Sequence, residues 1–123
     1  QALRILKPGG LLILETPNPE NIVVGTANFY LDPTHKQPLP PLLLSFIAEH
    51  AGYARVKILR LQEPEGLHES QNLTLIDVLS GVSPDYSIVA QKTAAKTALK
   101  KFDVAFSREY GVMLNEIANL YDG

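Results

Sequence analysis

The 123-residue sequence contains no cysteine. That excludes a disulfide framework, a thiolate nucleophile and any zinc or iron–sulfur site built on Cys. It also lacks an excess of one charge: 11 Lys and Arg stand against 13 Asp and Glu, a formal net charge of -2. Without a basic field, nucleic acid is not an expected partner. No apolar run approaches the roughly 20 residues a membrane span needs, and no basic-then-apolar leader opens the chain. The expectation is a soluble, cytoplasmic protein. Apolar residues make up 46% and charged residues 20% of the chain, a balance that excludes wholesale disorder. The length suits one small domain or part of a larger one.

The opening Gln1-Ala2-Leu3-Arg4-Ile5-Leu6-Lys7, with Leu3 and Leu6 at i, i+3, reads as the last turns of a helix that starts before Gln1 or, alternatively, as a short N-terminal helix of a processed protein. Pro8-Gly9-Gly10 ends it. Leu11-Leu12-Ile13-Leu14-Glu15-Thr16 is too short for a core helix and fits a strand buried on both faces. Pro17 and Pro19 stop it. Residues 20–39 form a long connection, and loops of that length in compact domains tend to be functional. Residues 40–51 predict a helix with Pro in its first turn, Gly52 just past its end, and Leu43, Phe46, Ile47 and Ala51 on one face. A strand is expected over 55–62, a short helix over 71–79 with Leu75, Ile76 and Leu79 at helical spacing, and a strand over 85–92. From Ala94 apolar residues recur every three or four positions as far as Tyr121, the pattern of an amphipathic helix interrupted at Gly111.

The phrase Leu3-Arg4-Ile5-Leu6-Lys7-Pro8-Gly9-Gly10-Leu11-Leu12-Ile13 resembles the junction between the fourth sheet helix and fifth strand of class I (Rossmann-like) S-adenosylmethionine-dependent methyltransferases. Ala51-Gly52-Tyr53 and the strand after it resemble the entry to the family's sixth strand, and residues 86–91 its antiparallel seventh. Thr16-Pro17-Asn18-Pro19, together with Asn28-Phe29-Tyr30-Leu31-Asp32-Pro33-Thr34-His35, is similar to a bacterial subgroup linked to surface-polysaccharide assembly. In that subgroup a segment resembling residues 102–114 leads into a helical linker. The resemblance implies an α/β fold, a partial Rossmann-like sheet with flanking helices. Residues 1–93 would be the C-terminal half of the methyltransferase domain and 94–123 a C-terminal helical extension. It implies S-adenosylmethionine as cofactor of the parent protein and O-methylation of a sugar or related hydroxyl. One departure bears on this: no Gly-rich turn follows a strand, since Gly9-Gly10 precedes one. No cofactor-binding residue is therefore assigned, and this chain alone is expected to be inactive.

His35 is the sharpest catalytic candidate, with Asp32 beside it. It lies in the loop after a strand, where open α/β sheets bind ligands, and a histidine can act as base toward a hydroxyl at neutral pH. The alternative is a local turn of Asp32 and His35 bonded to backbone. Tyr30 and Phe29 are candidates to wall an acceptor pocket or, alternatively, to anchor the loop. Asn18 and Glu15, near the strand end, could hydrogen-bond substrate. His50 and His68 are scattered without metal-ligand spacing, so no metal site is expected. Without the family's fourth strand, residues 11–16 would form an apolar edge. The expected partner is a second copy of the chain, paired through that strand or through the C-terminal helix. A non-catalytic oligomerisation or interaction module is the alternative function.

Overall fold

The computed structural model describes residues 1–123. Its frame is a three-stranded sheet of β1 (Leu11–Pro17), β2 (Arg55–Leu59) and β3 (Asp85–Gln91), in the order β1-β3-β2. Both outer strands pair antiparallel to β3, with Leu14 and Ile58 opposite Ile88. β1 and β2 are thus parallel to each other, and their carboxyl ends lie at the same edge as the start of β3. The expected α/β sheet with an antiparallel last strand is present, and that strand lies between the other two.

Residue alternation decides the sheet's two faces. Tyr86, Ile88 and Ala90 of β3 are buried on one face with Ala48 and Tyr53, and Leu3, Leu6, Leu12, Leu44, Val56 and Ile58 pack around them. Leu3 and Leu6 come from α1 (Ala2–Ile5) and the residue after it. The connection from α1 to β1 is a tight turn in which Gly10 N donates to Lys7 O at 2.8 Å. Pro8 and Gly9 occupy its centre, and Gly9 has φ 78°, the conformation a type II turn demands of its third residue.

α3 (Pro41–His50) covers this face, but with a different stripe from the one expected. Pro41 and Ala48 are buried and Leu44 is half-buried, whereas Leu43, Phe46 and Ile47 are exposed, Phe46 by 62%. The small Ala48 lets the helix approach β3 closely. Gly52, at φ 110°, ends α3 where the sequence placed the stop.

Other expectations need correction. The 20–39 connection contains α2 (Ile22–Thr26) and a 3-10 turn, Asn28–Leu31. β1 is not buried on both faces: Ile13 is 63% exposed. β2 stops at Leu59, three residues early, because Arg60 turns inward and its amide pairs with the Tyr110 carbonyl. The helix expected over 71–79 is α4 (Leu75–Ser80); Thr74 and Asp77 close a capping box at its start. Val78 is its buried residue, while Leu75 and Ile76 face outward.

The C-terminal segment is three short helices, α5 (Lys96–Lys100), α6 (Asp103–Ser107) and α7 (Leu114–Asp122), with a further break before Gly111. The first break falls where the Leu99 carbonyl accepts from both the Phe102 amide and the Arg55 guanidinium. Arg55 also bonds Gln91 and Asp103 and lies 4.3 Å over the Phe106 ring, so α5 and α6 are fastened to the second face of the sheet. α7 packs elsewhere. Its Ile117 is fully buried in a second cluster with Leu67, Val78, Val82 and Val112. No helix is long and apolar enough to cross a membrane.

Candidate functional site

The loop leaving the carboxyl end of β1 carries Tyr30, Asp32 and His35. Phe29 is its apolar foot: it is 5% exposed, and the His35 ring stacks on it at 4.6 Å between centroids. Tyr30 meets Phe29 edge-on at 5.1 Å but is itself 55% exposed. Phe29 therefore anchors the loop, and Tyr30 faces solvent.

His35 is oriented by its own loop. Its Nδ1 lies 2.7 Å from the Phe29 carbonyl oxygen. A carbonyl can only accept, so Nδ1 carries the hydrogen and Nε2 is left as the ring's basic nitrogen. Nε2 lies 3.6 Å from Asp32 Oδ2, a carboxylate placed to stabilise an imidazolium. The other Asp32 oxygen accepts from the Thr34 hydroxyl at 2.6 Å and the Thr34 amide at 2.9 Å. The Thr34 hydroxyl and amide hold the Asp32 carboxyl below its ordinary range, and the neighbouring His35 adds to this. These bonds make the local turn considered for Asp32 and His35, with Nε2 left without a hydrogen-bond partner.

Asn18 is placed differently from a surface hydrogen-bonder. It is fully buried; its Nδ2 donates to Ser83 O at 2.9 Å, and its Oδ1 accepts from Glu20 N at 3.1 Å. Its side chain ties the exit of β1 to the loop that enters β3. Glu15 is exposed on β1, at the rim of a cavity of about 130 Å³ shared with Leu59, Gln62, Asp85 and Ser87. Three larger cavities, of about 560, 410 and 210 Å³, are lined by residues outside the loop, at the N-terminus, at residues 64–77 and beside α3 and β2. No group of three or more His, Asp or Glu is arranged to hold a metal ion. His50 ends α3 and stacks on Phe46, and His68 lies beside Glu63 and Glu69.

Beneath the loop is a buried polar node that the sequence did not disclose. Arg60, 5% exposed, sends Nε and one terminal nitrogen to Glu20 Oε1 at 3.0 and 2.8 Å. Asn21 Nδ2 donates to the Ser80 and Val82 carbonyls, while its Oδ1 caps α2 at the Val24 amide. Tyr86, 1% exposed, donates its hydroxyl to Leu39 O at 2.6 Å. Burial first, and then the charge of Glu20, push the Tyr86 phenol up to about 12, with Arg60 partly offsetting both. Every buried side-chain nitrogen and oxygen in the structure has a partner. The only sequence signal for the node was its composition, polar residues within four positions of the ends of β1 and β2. Arg60 and Glu20 are 40 residues apart.

No protein-family model matches the chain, and no curated protein matches it. Among solved structures, it is similar to a crystal structure of a SAM-dependent methyltransferase from Archaeoglobus fulgidus. The two share 31% identity and a TM-score of 0.55 over 70% of this chain. The match covers 46% of that protein, so this chain spans about half its length. The three-stranded sheet with its flanking helices is accordingly a partial methyltransferase-like fold.

Proposed function

We propose that this chain is the acceptor-side portion of an S-adenosylmethionine-dependent methyltransferase that methylates a hydroxyl of a sugar or related molecule, in bacterial surface-polysaccharide assembly. The observation that carries the reading is the likeness, at 31% identity, to a SAM-dependent methyltransferase. The sheet order supports it, with an antiparallel strand between two parallel ones. His35 is the base: Nδ1 is held by the Phe29 carbonyl, and Nε2 is free to take the proton of an acceptor hydroxyl beside Tyr30. Asp32 steadies the charge that His35 gains.

The residues of this chain do not fit S-adenosylmethionine itself. A ribose diol calls for a free carboxylate at a strand's carboxyl end, and the methionine part calls for a glycine turn there. Glu20, just past β1, is committed to Arg60, Asn18 is sealed by backbone partners, and Glu15, though exposed near the carboxyl end of β1, has no glycine turn beside it. The left-handed glycines are Gly9, Gly52, Gly66 and Gly111. Gly9 and Gly52 precede strands, Gly111 packs on Arg60, and nothing approaches Gly66 within 4 Å. Cofactor binding is therefore assigned to residues outside 1–123.

Two measurements test this. Calorimetric titration of residues 1–123 with S-adenosylhomocysteine should show no binding; stoichiometric binding would mean the chain builds a cofactor pocket of its own. In the whole natural polypeptide, His35→Ala should lower the rate of labelled methyl transfer to sugar hydroxyls by roughly 10²–10⁴-fold. Full activity of that variant would remove His35 from the mechanism.

The second reading is a module that pairs copies of the chain. It is favoured by Ile13, 63% exposed on a strand whose outer edge has no partner strand. Of the two surfaces considered for pairing, the C-terminal helix has spent Leu114, Ile117 and Ala118 on its own chain. The β1 edge is the one left open.

A further inference from the structure

We propose that Arg60 and Tyr86 are positioning residues, which together clasp both ends of the 18–39 loop and so fix the orientation of His35. The inference rests on the reading of His35 as the acceptor-side base. The loop enters through Glu20, which Arg60 holds by two bonds to one oxygen. It leaves through Leu39, whose carbonyl takes the Tyr86 hydroxyl. Arg60 is 5% exposed and Tyr86 1%, so neither serves solvent. The three side chains form one group, since the phenol of Tyr86 feels the charges of both Glu20 and Arg60.

Past Asn21, whose side chain is bonded to the Ser80 and Val82 carbonyls, the hydrogen bonds of the segment as far as Pro38 are its own short-range ones. α2 has only five residues, and the 3-10 turn has four. Neither is long enough to persist unaided in water. Asn21, Val24 and Phe29 are its buried residues. His35 then takes its orientation from the Phe29 carbonyl and ring. Releasing either end lets Phe29 lift, and the histidine loses the carbonyl that fixes its tautomer.

The clasp also reaches the C-terminal segment. The Arg60 amide donates to Tyr110 O at 3.2 Å, and Gly111 packs so closely on Arg60 that a methyl group there would overlap its carbonyl. Residues 109–112 therefore seat the backbone of the residue whose side chain closes the loop.

The test reads amide exchange and imidazole nitrogen chemical shifts by NMR on residues 1–123, without cofactor or acceptor. Arg60→Met and Tyr86→Phe should each speed exchange at Val24, Gly25 and Ala27 at least tenfold. Each should also turn the single Nδ1–H tautomer of His35 into a mixture, with the Ile88 amide of β3 unchanged. Arg60→Lys, which can still reach Glu20, should restore the tautomer in part. If Arg60→Met does not fold, the double variant Glu20→Met with Arg60→Met removes both charges together and gives the same readout. A folded variant with unaltered exchange and imidazole shifts overturns the proposal. So does equal acceleration in loop and sheet, which would reduce the node to general stability. Loss of methyl transfer in His35→Ala bears on the reading of the base and leaves this readout untouched.

Discussion

The two outer strands of the sheet pair with the same central strand, yet their free edges are treated in opposite ways. β2 is half-buried along all five residues. Arg55 fastens α5 and α6 to it, Lys57 pairs with Glu109 at 3.1 Å, and the Arg60 amide finds Tyr110. β1 has no such cover. Ile13 is 63% and Leu14 39% exposed, and no strand pairs with its outer edge. The difference teaches where the C-terminal segment spends its apolar residues. It closes one edge, and through Ile117 it builds a second core beside the sheet. The β1 edge is left as the surface on which another chain or another segment can add a strand.

The largest effect is expected from unseating the closed edge. Ile117 is fully buried among Leu67, Val78, Val82 and Val112. Ile117→Ala should cost about 2–5 kcal/mol by urea unfolding. The Arg60 amide, protected by Tyr110, should then exchange as fast as an unpaired edge amide. Next comes Gly111→Ala. Gly111 sits at φ 83° against the Arg60 backbone, so the variant meets both the left-handed strain and an overlap. A loss of about 1–3 kcal/mol is expected. If the closed edge is held mainly by Arg55 and α6, both variants will leave the Lys57–Glu109 pairing and the Arg60 amide unperturbed. That outcome would break the comparison as drawn.

What the sequence revealed follows the same division between local and distant causes. The stop at Pro8-Gly9-Gly10, the stop at Gly52 and the strand now seen as β3 depend on neighbours within a few positions, and all three are present. The face of α3 was not legible. Leu42-Leu43-Leu44-Ser45-Phe46-Ile47-Ala48 is apolar nearly all round, so spacing cannot choose a side, and the small Ala48 decides it. The apolar spacing of residues 94–110 continues through a break it cannot register, because the break is made by Arg55 from another element taking the Leu99 carbonyl. In the candidate site, Asp32, Thr34 and His35 were recognisable because a turn joins them within four residues. Arg60 was not, since its partner Glu20 is distant in sequence and adjacent only in the fold.

A smaller effect separates the polar node from both edges. Tyr86→Phe removes one hydrogen bond to Leu39, a loss of about 1 kcal/mol near neutral pH. The alkaline range is more diagnostic. The folded-state phenol is raised from 10.0 to about 12, so folding favours its protonated form. That stabilisation is fully present below pH 10 and is lost as the pH rises toward about 12. In that window this group should erode stability by up to roughly 1.4 kcal/mol per pH unit. Denaturant titrations of wild type and Tyr86→Phe should converge there. Parallel curves up to pH 12 would show that the phenol is not held in the buried setting described.

The smallest stability effect, and the sharpest test of the open edge, is Ile13→Lys. Ile13 lies opposite Val89 on the second face, in the part of the sheet that α5 and α6 leave bare. Its side chain meets mostly solvent, so the substitution should change unfolding free energy by no more than about 0.5 kcal/mol. Its effect on association should be large. An apolar edge invites a second strand, and a lysine there is the device by which natural sheets prevent such pairing. Sedimentation of wild type should show a concentration-dependent dimer, and Ile13→Lys should run as a monomer of unchanged stability. A wild type that stays monomeric at every concentration would mean that exposure of β1 does not suffice for self-pairing. The exposed apolar residues of α1 and β1, Ile5, Ile13 and Leu14, would then be read as a seat for a different segment or partner.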